Sequence, residues 1–196
     1  MILKSAEKIF SILGESPYSF IMKGGCRKPE SARGRSLHRT FFESDLFYFC
    51  SGLQNCYKLY GSLENLFFSA GPSDVWKGIA LFRETMAGGN SGSYSKHISK
   101  SDGRSACKRL HLALRWLVRQ EGPVDLGLWK KLSPADLFIP LDVHVGRSAR
   151  ELGLLKSPRK ADDKKSVIEI TQKLREFCPE DPVKYDFALF GWGIDA

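Results

Sequence analysis

Apolar side chains recur every three or four residues through segment after segment of this chain, and residues that start or stop helices bound each segment. Val75, Trp76, Ile79, Phe82 and Met86 share one helical face. Leu110, Leu114, Leu117 and Val118 share another, and Val167, Ile170, Leu174 and Phe177 a third. No run alternates apolar and polar residues for long enough to read as a strand. The chain is therefore expected to be all-α.

The punctuation sets the expected elements. A short helix over residues 5–13 is followed by a turn that Pro17 can open. Residues 23–39, KGGCRKPESARGRSLHR, are basic and rich in Gly and Ser, so they read as a loop whose cations could meet phosphate. Ser44 is expected to cap a helix to Tyr60, Ser62 the helix LENLFF, and Ser73 the helix through Met86. A polar stretch over residues 88–103 leads into a helix over 105–120. Short helices are expected over 125–132 and 134–138, the second capped by Ser133. Asp142 caps a helix that Gly153 ends. Another helix fills 162–177. Asp181 is expected to cap the last, ending at Gly191.

The bulk numbers exclude more than they select. The chain has 196 residues and 42% hydrophobic content, enough for one domain core or two closely packed helical lobes. A net charge of +8 suits a polyanionic partner. No run of 18 apolar residues appears, so no membrane span is expected, and the broken N-terminal apolar stretch does not read as a signal peptide. The five cysteines, Cys26, Cys50, Cys56, Cys107 and Cys178, are odd in number and form no Cys-x-x-Cys pair. They are expected to be buried, reduced thiols in a cytoplasmic monomer. Their spacing does not suit an iron–sulfur cluster, and four scattered histidines do not suit zinc, so no metal or cofactor is expected.

Two residues carry the clearest chemical suggestion. Lys108 opens the amphipathic helix SACKRLHLALRWLVR, and Asp142 opens the helix after PLDVHV. An N-cap carboxylate accepts backbone N–H bonds and so stays ionised and fixed. A lysine in the first turn stands at the positive end of the helix dipole, and Arg104 and Arg109 add charge nearby. Such a pair suits chemistry in which a carboxylate stabilises positive charge and an amine acts as nucleophile. Taken alone, each residue also has a simpler role, Lys108 as a surface lysine and Asp142 as a cap.

The strings SACKRL, LRWLVR, VDLGLW, PLDVH and DPVKYDFALFGWGI resemble the bacterial family catalogued as domain of unknown function 2400, over nearly the whole chain. Beneath that, residues 105–154 resemble the helix-hairpin-helix DNA glycosylase superfamily. The spacing 142 − 108 = 34 is similar to that of archaeal 8-oxoguanine glycosylases. The resemblance implies two packed helical lobes with a cleft between them, within one domain over 1–196, and a hairpin and catalytic segment over 99–154. That domain is expected to lack a helix that usually precedes this region. The usual hairpin is Gly-rich, whereas Ser99 to Arg104 holds one glycine. Phosphate contact is therefore expected from Lys100, Arg104 and Ser105, joined by Arg109 and Arg147. A structural monovalent cation at the hairpin is compatible with the resemblance.

The implied activity is a DNA base-excision glycosylase, with or without lyase activity, acting on a damaged purine such as 8-oxoguanine. Lys108 is then the nucleophile and Asp142 its partner. His144, Tyr185, Phe190 and Trp192 are expected to line the pocket for the flipped base. The partner is lesion-containing duplex DNA. The alternative is a nucleic-acid-binding protein that keeps the scaffold without the chemistry. Asp125 reads as a cap of its own short helix, and Trp116, Trp129 and Trp192 as core.

Overall fold

The computed structural model describes residues 2–31, 33–71, 73–156 and 162–195. The chain divides into two compact units. One comprises Met1–Leu66 with Leu81–Ile98, the other Phe67–Ala80 with Ser99–Ala196.

The first unit opens with α1 (Ile2–Leu13) and α2 (Pro17–Met22), where proline sits at the first helical position as its missing N–H allows. A two-stranded antiparallel ribbon follows, β1 (Ser36–His38) with β2 (Phe41–Phe42). This ribbon falls partly inside the expected loop and corrects the purely helical expectation to a mostly helical one. Strands of three and two residues are too short to show an alternating pattern. Then comes α3 (Glu43–Tyr60). It begins before Ser44, because the Asp45 carboxylate accepts the Phe42 N–H at 2.8 Å and starts the helix early. Ile21, Leu37, Leu46 and Cys50 form the core here, with Ile9, Ile12 and Leu13 of α1 packed against them. Gly52 lets α3 approach Met86, since a Cβ there would stand 2.6 Å from the Met86 sulfur.

Cys26 and Cys50 are joined as a disulfide, with Cα atoms 6.2 Å apart. The expectation of reduced thiols throughout therefore holds only for Cys56, Cys107 and Cys178. Burial pushes the Cys56 thiol up to about 12.

Two helices, α4 (Leu63–Ser69) and α5 (Val75–Gly88), precede the polar stretch. Ser62 accepts the Asn65 N–H as a cap should, but α5 is capped by Asp74, which accepts the Lys77 N–H at 3.0 Å, and not by Ser73.

The second unit is built on α6 (Lys108–Val118), α7 (Val143–Glu151), α8 (Lys164–Phe177) and α9 (Asp186–Asp195). Ile139, Leu141, Val145, Ala149, Val167, Ile170, Leu174 and Leu189 lie in its core. Helices α7 and α9 pack closely against each other. Ser148 Oγ donates to the Leu189 carbonyl at 2.5 Å, and a side chain at Gly193 would collide with the His144 carbonyl.

Residues 125–132 are not helical. The Asp125 carboxylate is drawn into an arginine pair, Gly127 takes φ 58°, and the Leu126 and Trp129 amides donate to the Trp116 and Leu117 carbonyls. Ser133 does cap a short 3-10 turn over Pro134–Asp136. Asp181 does not cap its helix, because Arg119 Nε takes both carboxylate oxygens at 2.9 Å. A 3-10 turn over Pro182–Tyr185 therefore precedes α9, which continues past Gly191. Trp116 and Trp192 are exposed rather than core, at 38% and 58%.

Candidate active site

α6 begins at Lys108 rather than at residue 105 because the preceding turn is pinned elsewhere. Ser105 pairs with Asp163 in an antiparallel bridge, and the Arg104 carbonyl accepts the Lys164 N–H at 2.9 Å. Cys107 takes the left-handed φ of 48°, with its N–H donated to Ser105 Oγ at 3.2 Å. That sharp turn starts α6 directly on Lys108.

Asp142 starts α7, as its sequence position requires. Its Oδ1 accepts the His144 and Val145 amides at 3.0 and 2.9 Å. Its Oδ2 accepts Lys108 Nζ at 2.8 Å. The carboxylate thus divides its two oxygens, one holding the helix end and one holding the amine. The carboxylate side is 12% exposed and the lysine side 44%, so the pair meets solvent mainly through the amine. Burial pushes the Asp142 carboxyl up. The hydrogen bond from Lys108, the Val145 amide and the Lys108 charge outweigh burial, and the carboxyl titrates below its ordinary value.

A second set of charges lies on the same unit. Arg115 follows Lys108 by seven residues, so both project from nearly the same face of α6. Its guanidinium donates to Asp186 at 2.5 Å and Asp125 at 3.2 Å, and sits 3.8 Å from the Phe187 ring centre. Arg119 joins Asp125, Asp181 and Glu121. Arg115, Arg119, Asp125 and Asp186 are all buried. Burial pushes the Asp186 carboxyl up. Arg115 opposes this, and the charges of Asp142 and Asp125 add to it. Asp186 therefore feels the Asp142 charge. Asp125 is part of this network and not the cap of a short helix. The sequence signal for the network was Arg115 and Arg119 at i, i+4 beside the apolar residues Leu114 and Val118.

The other expected site residues separate. His144 Nδ1 lies 3.1 Å from the Gly193 carbonyl, and its ring meets Phe190 edge-on at 5.4 Å. Arg147 also donates to the Gly193 carbonyl, at 3.2 Å. Tyr185 and Trp192 instead line an apolar groove of about 430 Å³ with Leu152, Leu154 and Phe177, and Trp192 Nε1 donates to Glu151. Neither Asp142 nor His144 lines that groove, so the four expected pocket residues do not share one cavity wall. Among the expected phosphate contacts, Lys100 pairs with Asp102 and Arg104 approaches Asp163 at 3.7 Å. Arg109 is exposed beside Lys108. Ser105 is taken up in the turn before α6.

The amine and carboxylate at two helix starts, backed by a buried arginine–carboxylate network, define a helical protein with a polar site of defined geometry. The chain belongs to the family described as protein of unknown function (DUF2400), whose model matches residues 1–195. No curated protein matches the chain, and no solved structure does.

Proposed function

We propose that this chain is a DNA base-excision glycosylase acting on a damaged purine such as 8-oxoguanine, on a helix-hairpin-helix scaffold. The observation that carries this reading is the 2.8 Å contact between Lys108 Nζ and Asp142 Oδ2, made by residues 34 apart at the starts of two helices. Base release requires a carboxylate facing the positive sugar and, for covalent chemistry, an amine within reach of C1′. In this scheme the C1′–N bond breaks with its electron pair going to the base. Asp142 opposes the charge left on the sugar, and Lys108 Nζ bonds to C1′. An ammonium has no lone pair, so its proton leaves through Asp142 to the departing base. A second Nζ proton then passes to O4′ as the C1′–O4′ bond breaks with its electron pair going to O4′, and the Schiff base so formed makes strand cleavage by elimination available. Exposed Arg109, together with Lys100, Arg104 and Arg147, supplies backbone contacts, and Phe190 beside His144 offers the flipped base an aromatic face.

The same contact supports a second reading, nucleic-acid binding without chemistry, because the ion pair occupies the amine and ties α6 to α7. Borohydride trapping on a duplex containing 8-oxoguanine separates the two. A covalent adduct that Lys108→Gln abolishes supports the enzyme. A wild-type chain that binds the duplex but neither traps nor releases base from a panel of lesions supports the binding protein.

A further inference from the structure

The basic loop between α2 and β1 takes no part in the site just described. Residues 23–35 carry Lys23, Arg27, Lys28, Arg33 and Arg35 against one acid, Glu30. Its two ends are pinned. Gln54 Nε2 donates to the Ile21 and Met22 carbonyls at one end, and at the other Glu43 accepts Arg35 N and Nε at 2.9 and 2.8 Å. Arg33 lies over the Phe42 ring. Arg27 and Lys28 point to solvent in between.

The middle of the loop spans space. A cavity of about 420 Å³ is lined by Gly25 to Glu30 with Phe20, Leu46 and Phe47, and a second of about 200 Å³ adjoins Lys28 and Pro29. Across that space the Cys26–Cys50 bond ties the arch to α3, in whose core Cys50 is 4% exposed. A segment that borders two such hollows opens more readily once its covalent tie is cut.

We propose that this arch is a redox-gated contact for the DNA phosphate backbone. The closed disulfide presents Arg27 and Lys28 as a fixed pair of cations, and its reduction weakens binding. The partner rests on the nucleic-acid reading above. A dithiol opens the bond in two steps. Its thiolate attacks Cys26 Sγ, the more accessible sulfur, and Cys50 leaves as a thiolate that takes a proton. The second thiol then displaces Cys26, so two electrons and two protons pass to the protein and the dithiol closes to a cyclic disulfide.

The test measures binding of the full chain to an undamaged random-sequence duplex by fluorescence anisotropy across a salt series, before and after dithiothreitol. Affinity is expected to fall several-fold on reduction. Cys26→Ser is expected to bind like the reduced wild type and to ignore the dithiol, with a melting curve confirming that it folds. Arg27→Gln with Lys28→Gln, which keeps the disulfide, is expected to lower the slope of log K against log salt by about 1.8, about 0.9 for each contact. Identical isotherms before and after reduction, an unchanged slope in the double variant, or no duplex binding at all would overturn the proposal. Undamaged DNA keeps the outcomes distinct. Absent borohydride trapping with redox-sensitive binding intact refutes only the glycosylase, and trapping with redox-indifferent binding refutes only the arch.

Discussion

Asp142→Asn separates the two jobs that one carboxylate performs. Oδ1 accepts the His144 and Val145 amides, and an asparagine oxygen in that place caps about as well as aspartate, so the helix start is kept. Oδ2 holds Lys108, whose side chain is 44% exposed, and a pair screened to that degree contributes about 0–1 kcal/mol. The whole structural cost is then under about 1 kcal/mol, a fall in melting temperature of about 2–4 °C for a chain of this size. On the glycosylase reading the chemical cost is different in kind. Removing a preorganised group that faces developing charge costs about 10²–10³ in rate, or about 2.7–4 kcal/mol in the barrier. Single-turnover release of 8-oxoguanine from a duplex, measured beside a thermal melt, reads both quantities from one preparation. Asp142→Ala supplies the contrast, since it also orphans two amides and costs about 0.5–2 kcal/mol. If Asp142→Asn releases base within a few-fold of wild type, the carboxylate is only a cap. If Asn melts as low as Ala, the division of labour between the two oxygens is wrong.

Other perturbations follow from the same geometry. Lys108→Gln is expected to abolish covalent trapping while DNA affinity changes little, read by gel and anisotropy on one lesion duplex. Asp186→Ala leaves the buried Arg115 guanidinium short of a partner and is expected to destabilise by about 3 kcal/mol in urea melts. Loss of less than about 1 kcal/mol would show that Asp125 alone suffices. His111 is 1% exposed, and burial pushes its imidazole down to about 3. The unfolded chain therefore takes up a proton near its ordinary value of about 6.5 that the folded chain refuses. Stability is present above that value and falls by about 1.4 kcal/mol per pH unit as pH drops toward 3. His111→Met should flatten that limb, compared by urea midpoints at pH 7 and 4.5. Cys26→Ser opens a crosslink between residues 24 apart and is expected to cost about 3 kcal/mol.

Local chemistry in the sequence was readable and long-range chemistry was not. Asp142 as a helix start needs only its own two following amides, and Lys108 as the first helical residue needs only the turn before it. Their meeting across 34 residues was anticipated through a resemblance and not through spacing. The Arg115–Asp186 and Arg119–Asp181 pairs span 71 and 62 residues, and nothing local marks either aspartate. Asp181 and Asp125 even looked like caps, because a carboxylate before an apolar run carries the same signature whether amides or a buried guanidinium claims it. The ribbon at Ser36–Phe42 was missed because five strand residues carry no period. The odd cysteine count concealed a bond that only the folding of the basic loop against α3 reveals.

The ion pair at the start of α7 also bears on chemical safety. On the glycosylase reading, an amine that must reach a sugar can also be reached by any small aldehyde that diffuses to it. While Asp142 Oδ2 holds Lys108 Nζ at 2.8 Å, the nitrogen is fixed against the carboxylate, and an electrophile must displace that contact to reach it. Lys77 and Lys100 also pair with carboxylates, Asp74 at 3.1 Å and Asp102 at 3.2 Å, but those acids are themselves 39% and 66% exposed, against 12% for Asp142. The helix cap thus keeps the amine engaged with a mostly buried carboxylate, and on the glycosylase reading an arriving cationic sugar, competing for that carboxylate, would release it.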